Sequence, residues 1–116
     1  MKRSVLVADD NADSADSLAL LLRARGHTVH VAYDGRSALE MARTARPDIA
    51  LLDVILPAMD GYELGRQLRR EFGSALRMLA VTGFSTDEDR RRAQEAGFDQ
   101  FVVKPLDPAF IASLLR

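Results

Sequence analysis

The chain has 116 residues, about one ordinary domain, and its 47% hydrophobic and 28% charged content is that of a folded globular protein rather than a disordered one. Sixteen basic residues against seventeen acidic ones leave a net charge of -1, without the basic excess that a dedicated nucleic-acid ligand usually requires. No cysteine is present, which excludes disulfide scaffolding, thiolate zinc sites and cysteine nucleophiles. The N-terminal apolar stretch is cut short by Asp9 and Asp10, and no apolar run reaches membrane-spanning length. A single cytoplasmic domain over residues 1–116, with no membrane insertion, is expected.

In chain order, the first apolar run is Val5-Leu6-Val7-Ala8. Residues 13–25 then place Ala15, Leu18, Leu21 and Leu22 on one helical face, with Gly26 as the stop. Residues 28–32 alternate in part, which predicts a weaker strand near a sheet edge. Residues 35–46 carry Ala38, Leu39, Ala42 and Ala45 ahead of Pro47. After the run Ile49-Ala50-Leu51-Leu52, Asp60 and Glu63 have capping-box spacing, Leu64, Leu68 and Phe72 follow, and Gly73 ends the helix. Met78-Leu79-Ala80-Val81 precedes a second capping pair, Ser85 and Glu88, and a helix ending at Gly97. Phe101-Val102-Val103 leads to Asp107-Pro108, a cap with proline at the first helical position, and a helix packing Phe110, Ile111 and Leu114. The apolar runs are continuous, as in strands buried on both faces of a parallel sheet. Strand and helix therefore alternate through the chain, which predicts an α/β fold with helices on both faces and right-handed crossovers.

Asp9 and Asp10 follow the first strand, Asp53 the third, Thr82 the fourth and Lys104 the fifth. Parallel strands end on one edge, so these side chains converge on the rim where ligands of such sheets bind. The Asp9-Asp10-Asn11 run reads equally as helix capping. Carboxylates gathered in one cleft repel, and magnesium suits such a site because it keeps several waters and needs few protein carboxylates. Lys104 offers a point charge and Thr82 a hydroxyl, and together the set suits phosphoryl transfer to Asp53. His27 and His30 lie three apart and cannot share a metal from one strand, so both read as surface or packing residues.

Asp9-Asp10, the run Leu-Leu-Asp-Val-Ile-Leu-Pro-Ala-Met-Asp-Gly over residues 51–61, Val81-Thr82-Gly83 and Val103-Lys104-Pro105 together resemble the receiver domains of two-component response regulators. The resemblance spans essentially the whole chain, with every motif in order. It implies a flavodoxin-like, doubly wound (βα)5 three-layer sandwich with strand order 2-1-3-4-5. Asp53 is then the phosphoacceptor, with Thr82 and Lys104 holding the phosphoryl group. Mg2+ is held by Asp10 directly, by Asp9 through water, and by Asp53 and the Ile55 carbonyl. The Lys104-Pro105 bond is cis, Gly83 leaves space beside the acceptor, and Pro57 and Gly61 shape the loop that follows it. Thr82 and Phe101 form the switch, although Phe101 reads equally as a core aromatic. Leu56 stands where methionine is common in the family, a swap of similar volume. Ile55 and Phe84 occupy positions that tune phosphoryl lifetime, and their bulk implies slow loss. Arg90-Arg91-Arg92 reads first as a solvated helix face and second as a nucleic-acid patch.

The implied function is a phosphorylation-dependent signalling switch in a Mg-dependent phosphorelay. Its partners are a histidine kinase or histidine phosphotransfer domain and a downstream output protein or domain, with no direct nucleic-acid binding. Such a domain catalyses its own aspartyl phosphorylation and dephosphorylation without being a conventional turnover enzyme. The stretch 87–107 resembles receivers attached to hybrid histidine kinases, so both a stand-alone receiver and a piece of a larger kinase remain open. The alternatives are a phosphate-independent pseudo-receiver that only binds protein, a flavodoxin-like cofactor protein and a metal-dependent phosphatase. Asp-Asp-Asn after the first strand disfavours the flavodoxin-like reading, because acids there repel a cofactor phosphate.

Overall fold

The computed structural model describes residues 2–83 and 86–115, the side chain of Pro108 excepted. Strands β1 (Ser4–Ala8), β2 (Thr28–Ala32), β3 (Ile49–Asp53), β4 (Arg77–Thr82) and β5 (Gln100–Val103) alternate with helices α1 (Ala12–Ala24), α2 (Gly35–Ala45), α3 (Gly61–Phe72), α4 (Asp87–Ala96) and α5 (Pro108–Leu114). All strand pairs are parallel, as the unbroken apolar runs predict, and the sheet order is β2-β1-β3-β4-β5, the order that the resemblance implies. No helix among the described residues is long and apolar enough to cross a membrane.

Each central strand feeds two cores, which is why its apolar run does not alternate. Leu6, Leu52, Met78 and Ala80 join Leu64 and Leu68 of α3, with Ala38 of α2 and Ala93 of α4, on one face. Val5, Val7, Leu51 and Leu79 meet Ala15, Ala19 and Leu22 of α1 and Ile111 of α5 on the other. β5 departs from the expected burial. It is one of the two edge strands, and none of its residues is fully buried.

Four helix details differ from expectation. In α1 the buried stripe is Ala15, Ala19 and Leu22, while Leu18 and Leu21 are half-buried and Leu20 faces solvent. In α5, Phe110 is 42% exposed, and Ile111 and Leu115 fill the core instead. α4 is capped one residue later than the sequence suggests: Thr86 and Asp89 form the reciprocal box, and Glu88 pairs with Arg91. Thr-x-x-Asp meets the same orphan amides as Ser-x-x-Glu, so two overlapping signals competed; Ser85 lies outside the described residues. At α3 half of the expected box forms. Asp60 accepts from the Glu63 N–H at 2.9 Å, but the Glu63 carboxylate turns to Arg66 and Gln67.

The loop from β3 to α3 is tightly held. The Gly61 N–H donates to the Val54 carbonyl at 2.9 Å, and a Cβ on Gly61 would sit 2.3 Å from the Asp53 carbonyl oxygen. On its other side the Gly35 N–H of α2 donates to the Pro57 carbonyl at 3.1 Å. At the tip, Ala58 adopts a φ of 70°, the left-handed region that disfavours a Cβ.

Relief of that strain makes Ala58→Gly stabilising. The expected gain is about 0.5–1 kcal/mol, since the left-handed cost of about 1–2 kcal/mol exceeds the extra chain entropy glycine loses. Urea denaturation should show a raised midpoint with an unchanged slope. A second prediction concerns His27, whose Nδ1 accepts the Arg3 N–H at 3.1 Å and is therefore neutral in the fold. Burial, with nearby Arg3 and Arg25, lowers its pKa from the ordinary 6.5. The unfolded chain thus binds this proton more readily, so the contribution is complete above pH 6.5 and declines as pH falls through the lowered folded value. Denaturation midpoints of wild type and His27→Gln should show this slope only in the wild type.

Candidate functional site

The carboxyl ends of β1, β3, β4 and β5 bring Asp9, Asp10, Asp53, Thr82 and Lys104 to one rim of the sheet. Asp9 and Asp53 are 8% and 7% exposed, Thr82 is 2% exposed, and Asp10 faces solvent. Ligand oxygens of Asp9, Asp10 and Asp53 lie within 4.8 Å of one another. The Lys104 ammonium donates to Asp9 Oδ2 and to Asp53 Oδ2, each at 2.9 Å. The second oxygens are held by backbone: Asp9 Oδ1 accepts the Asn11 N–H, and Asp53 Oδ1 the Ile55 N–H, both at 3.0 Å.

Local sequence explains each placement. Asn11 caps α1 through the Ser14 N–H at 3.0 Å, so the chain turns immediately after the two acids and leaves them at the rim. Lys104 begins the turn into α5; its N–H donates to the Thr82 carbonyl at 2.6 Å, and the Lys104–Pro105 bond is cis. A Cβ placed on Gly83 would meet nothing within 4 Å, so the space beside Thr82 is open. Ile55 projects at the mouth, 60% exposed.

Electrostatically the rim is short of positive charge. Three carboxylates face the single Lys104 ammonium within the cluster. Burial raises the Asp53 pKa above its ordinary value and Asp9 adds to this, against the opposing pull of the Ile55 N–H and Lys104. Burial alone would lower Lys104, but its bonds to Asp53 and Asp9 outweigh this and leave its pKa raised. An all-carboxylate donor set without imidazole or thiolate fits a hard divalent cation of the magnesium class.

Phe101 stands apart from the acids. It is half-buried on β5, and the Arg90 guanidinium of α4 lies 4.9 Å from its ring centroid. Phe84 lies outside the described residues. His27 and His30 lie at β2, the sheet edge, with no part in the rim. Two contributions escaped the sequence. The Asn11 amide orients Asp9, which the capping role of Asp9-Asp10-Asn11 could have suggested; the Arg90 contact depends on how α4 crosses β5 and has no local signal.

Residues 5–116 match the family model of the response regulator receiver domain. An uncharacterised 14.6 kDa protein from the sodA1 3' region of Leptolyngbya boryana is 35% identical over 97% of this chain and 86% of its own length. The DNA-binding response regulator MtrA of Mycobacterium tuberculosis is 36% identical over 100% of this chain, which spans only 50% of that relative. Among solved structures, a CheY-like response regulator receiver domain protein from Methanospirillum hungatei JF-1 superposes with a TM-score of 0.92 at 25% identity, covering 98% of this chain and 90% of that one.

Because burial and the neighbouring Asp9 raise the Asp53 pKa, the fold disfavours its charge, and Asp53→Asn should stabilise the fold at pH 7. The substitution keeps the shape and removes one of the repelling charges. A denaturation midpoint above wild type is the expected result, and a midpoint well below it would contradict this account of the rim.

Proposed function

Since the chain belongs to the response regulator receiver domain family of two-component signalling, we propose that it is a phosphorylation switch that accepts a phosphoryl group on Asp53. The observation that carries this reading is the Lys104 ammonium, 2.9 Å from both Asp9 and Asp53 within a cluster of three carboxylates.

The donor is a phosphohistidine of a histidine kinase or phosphotransfer domain. An Asp53 carboxylate oxygen attacks phosphorus, the P–N bond breaks, and the imidazole leaves with its electron pair and takes up a proton. The product is an acyl phosphate on Asp53. Asp9, Asp10 and Asp53, with the Ile55 carbonyl, would hold magnesium, which supplies charge neutralisation for the phosphoryl oxygens. Lys104 orients the Asp53 carboxylate and then offers its ammonium to a phosphoryl oxygen. Thr82 donates its hydroxyl to another, drawn toward the open space beside Gly83, and Phe101 responds to the movement of Thr82. Ile55 at the mouth hinders water from reaching the acyl phosphate.

The output is a protein or domain that reads the altered surface, and the setting is the cytoplasm. The relative MtrA is named as a DNA-binding regulator, and this chain spans half of it. The DNA binding in that name is a property of the relative, and we assign no nucleic-acid contact to residues 1–116 themselves.

Radiolabelled acetyl phosphate with Mg2+ should label the protein, and Asp53→Asn or chelation by EDTA should abolish labelling. Lys104→Met should reduce it at least tenfold, the scale of one lost charge-assisted contact of about 1.4–3 kcal/mol. A folded protein that no donor labels would be a phosphate-independent binding module instead.

A further inference from the structure

α4 has little apolar anchorage, burying only Ala93 and Ala96. Two arginines fasten its flanks to aromatic rings. The Arg92 guanidinium lies 4.2 Å from the centroid of Tyr62 on α3, and the Arg90 guanidinium 4.9 Å from that of Phe101 on β5. The rings differ in how they are held. Tyr62 is 4% exposed in the core beneath α4, and its hydroxyl donates to the Asp89 carbonyl at 3.4 Å. Phe101 is half-buried on an edge strand.

We infer that Arg90 is a positioning residue, which holds the Phe101 ring in the place that belongs to the arrangement with Lys104 bridging Asp9 and Asp53. The inference rests on the phosphoryl-switch reading above and adds a determinant on α4. A contact made in one of two arrangements biases their equilibrium by its own free energy, and a contact made in both biases nothing. Arg90 touches the ring that must move, so it resists phosphorylation. Arg92 touches a ring fixed in the core, so it holds the helix without favouring either arrangement. For a cation over an aromatic face near the surface, the bias is about 2–5-fold in population. Arg90 thereby sets how readily Asp53 is phosphorylated, although it lies on a helix that supplies none of the acids, the hydroxyl or the ammonium.

The experiment is the initial rate of labelling by acetyl phosphate with Mg2+, measured on folded protein for wild type, Arg90→Gln, Arg90→Lys, Arg92→Gln, Phe101→Leu and the Arg90→Gln/Phe101→Leu pair. Arg90→Gln should label about 2–5-fold faster than wild type, Arg90→Lys should lie between, and Arg92→Gln should match wild type. In the Phe101→Leu background the Arg90→Gln acceleration should vanish. A general attraction between Arg90 and the anionic donor predicts the opposite sign, slower labelling of Arg90→Gln. Slower or unchanged labelling, or the same acceleration with and without the ring, overturns the inference while leaving Asp53 as acceptor. A wild type that is not labelled at all overturns the switch reading and this inference with it.

Discussion

One ammonium shared by two buried carboxylates is the contact on which the rim of this sheet depends. Burying a carboxylate is costly unless it is paired and hydrogen-bonded. Here Lys104 pairs with Asp9 and Asp53 at once, and the backbone of Asn11 and Ile55 satisfies their second oxygens. The compensation is partial by design of the numbers, because Asp10 adds a third carboxylate. A fully neutralised rim would have no use for a cation. One left in deficit favours a hard divalent ion and the phosphoryl chemistry that such an ion supports.

The rim can be this polar because the sheet beneath it is apolar on both faces. Leu6 and Ala8 point into one core and Val5 and Val7 into the other, so β1 delivers Asp9 to its end with no freedom to slip register. Gly61 locks the far side, where any larger residue would collide with the backbone of Asp53 itself. The strain accepted at Ala58 lies within the same loop, between Asp53 and the cap of α3. The backbone is tightly held around Asp53, whereas α4, which packs against α3 and β5, is weakly anchored.

The alternation of strand and helix and the convergence of Asp9, Asp10, Asp53, Thr82 and Lys104 were legible in the residues, because buried parallel strands announce themselves as unbroken apolar runs and all end on one side; the strand order came from the family resemblance alone. What stayed hidden depends on rotation and on distant partners. Leu18 and Leu21 were expected on the buried face of α1, but Ala19 joins Ala15 and Leu22 there while both leucines are half-buried. Phe110 lost its expected place to Leu115, which lies one turn further along the same face as Ile111. Arg69, unremarkable in sequence, reaches the carbonyls of Leu76 and Gly97 and the carboxylate of Asp99, and so joins the end of α3 to the starts of β4 and β5. No local pattern encodes a bond spanning 30 residues.

The separation of 95 residues between Asp9 and Lys104 has a consequence for the protein's birth. Synthesis runs from the N-terminus, so the acids leave the ribosome long before the lysine that reconciles them. Until the last strand joins the sheet edge, the nascent chain carries a repelling acidic pair with no partner and no finished pocket. The finished rim therefore waits for β5 and Lys104, and a nascent chain that stops short of them carries the acids without the ammonium that joins them.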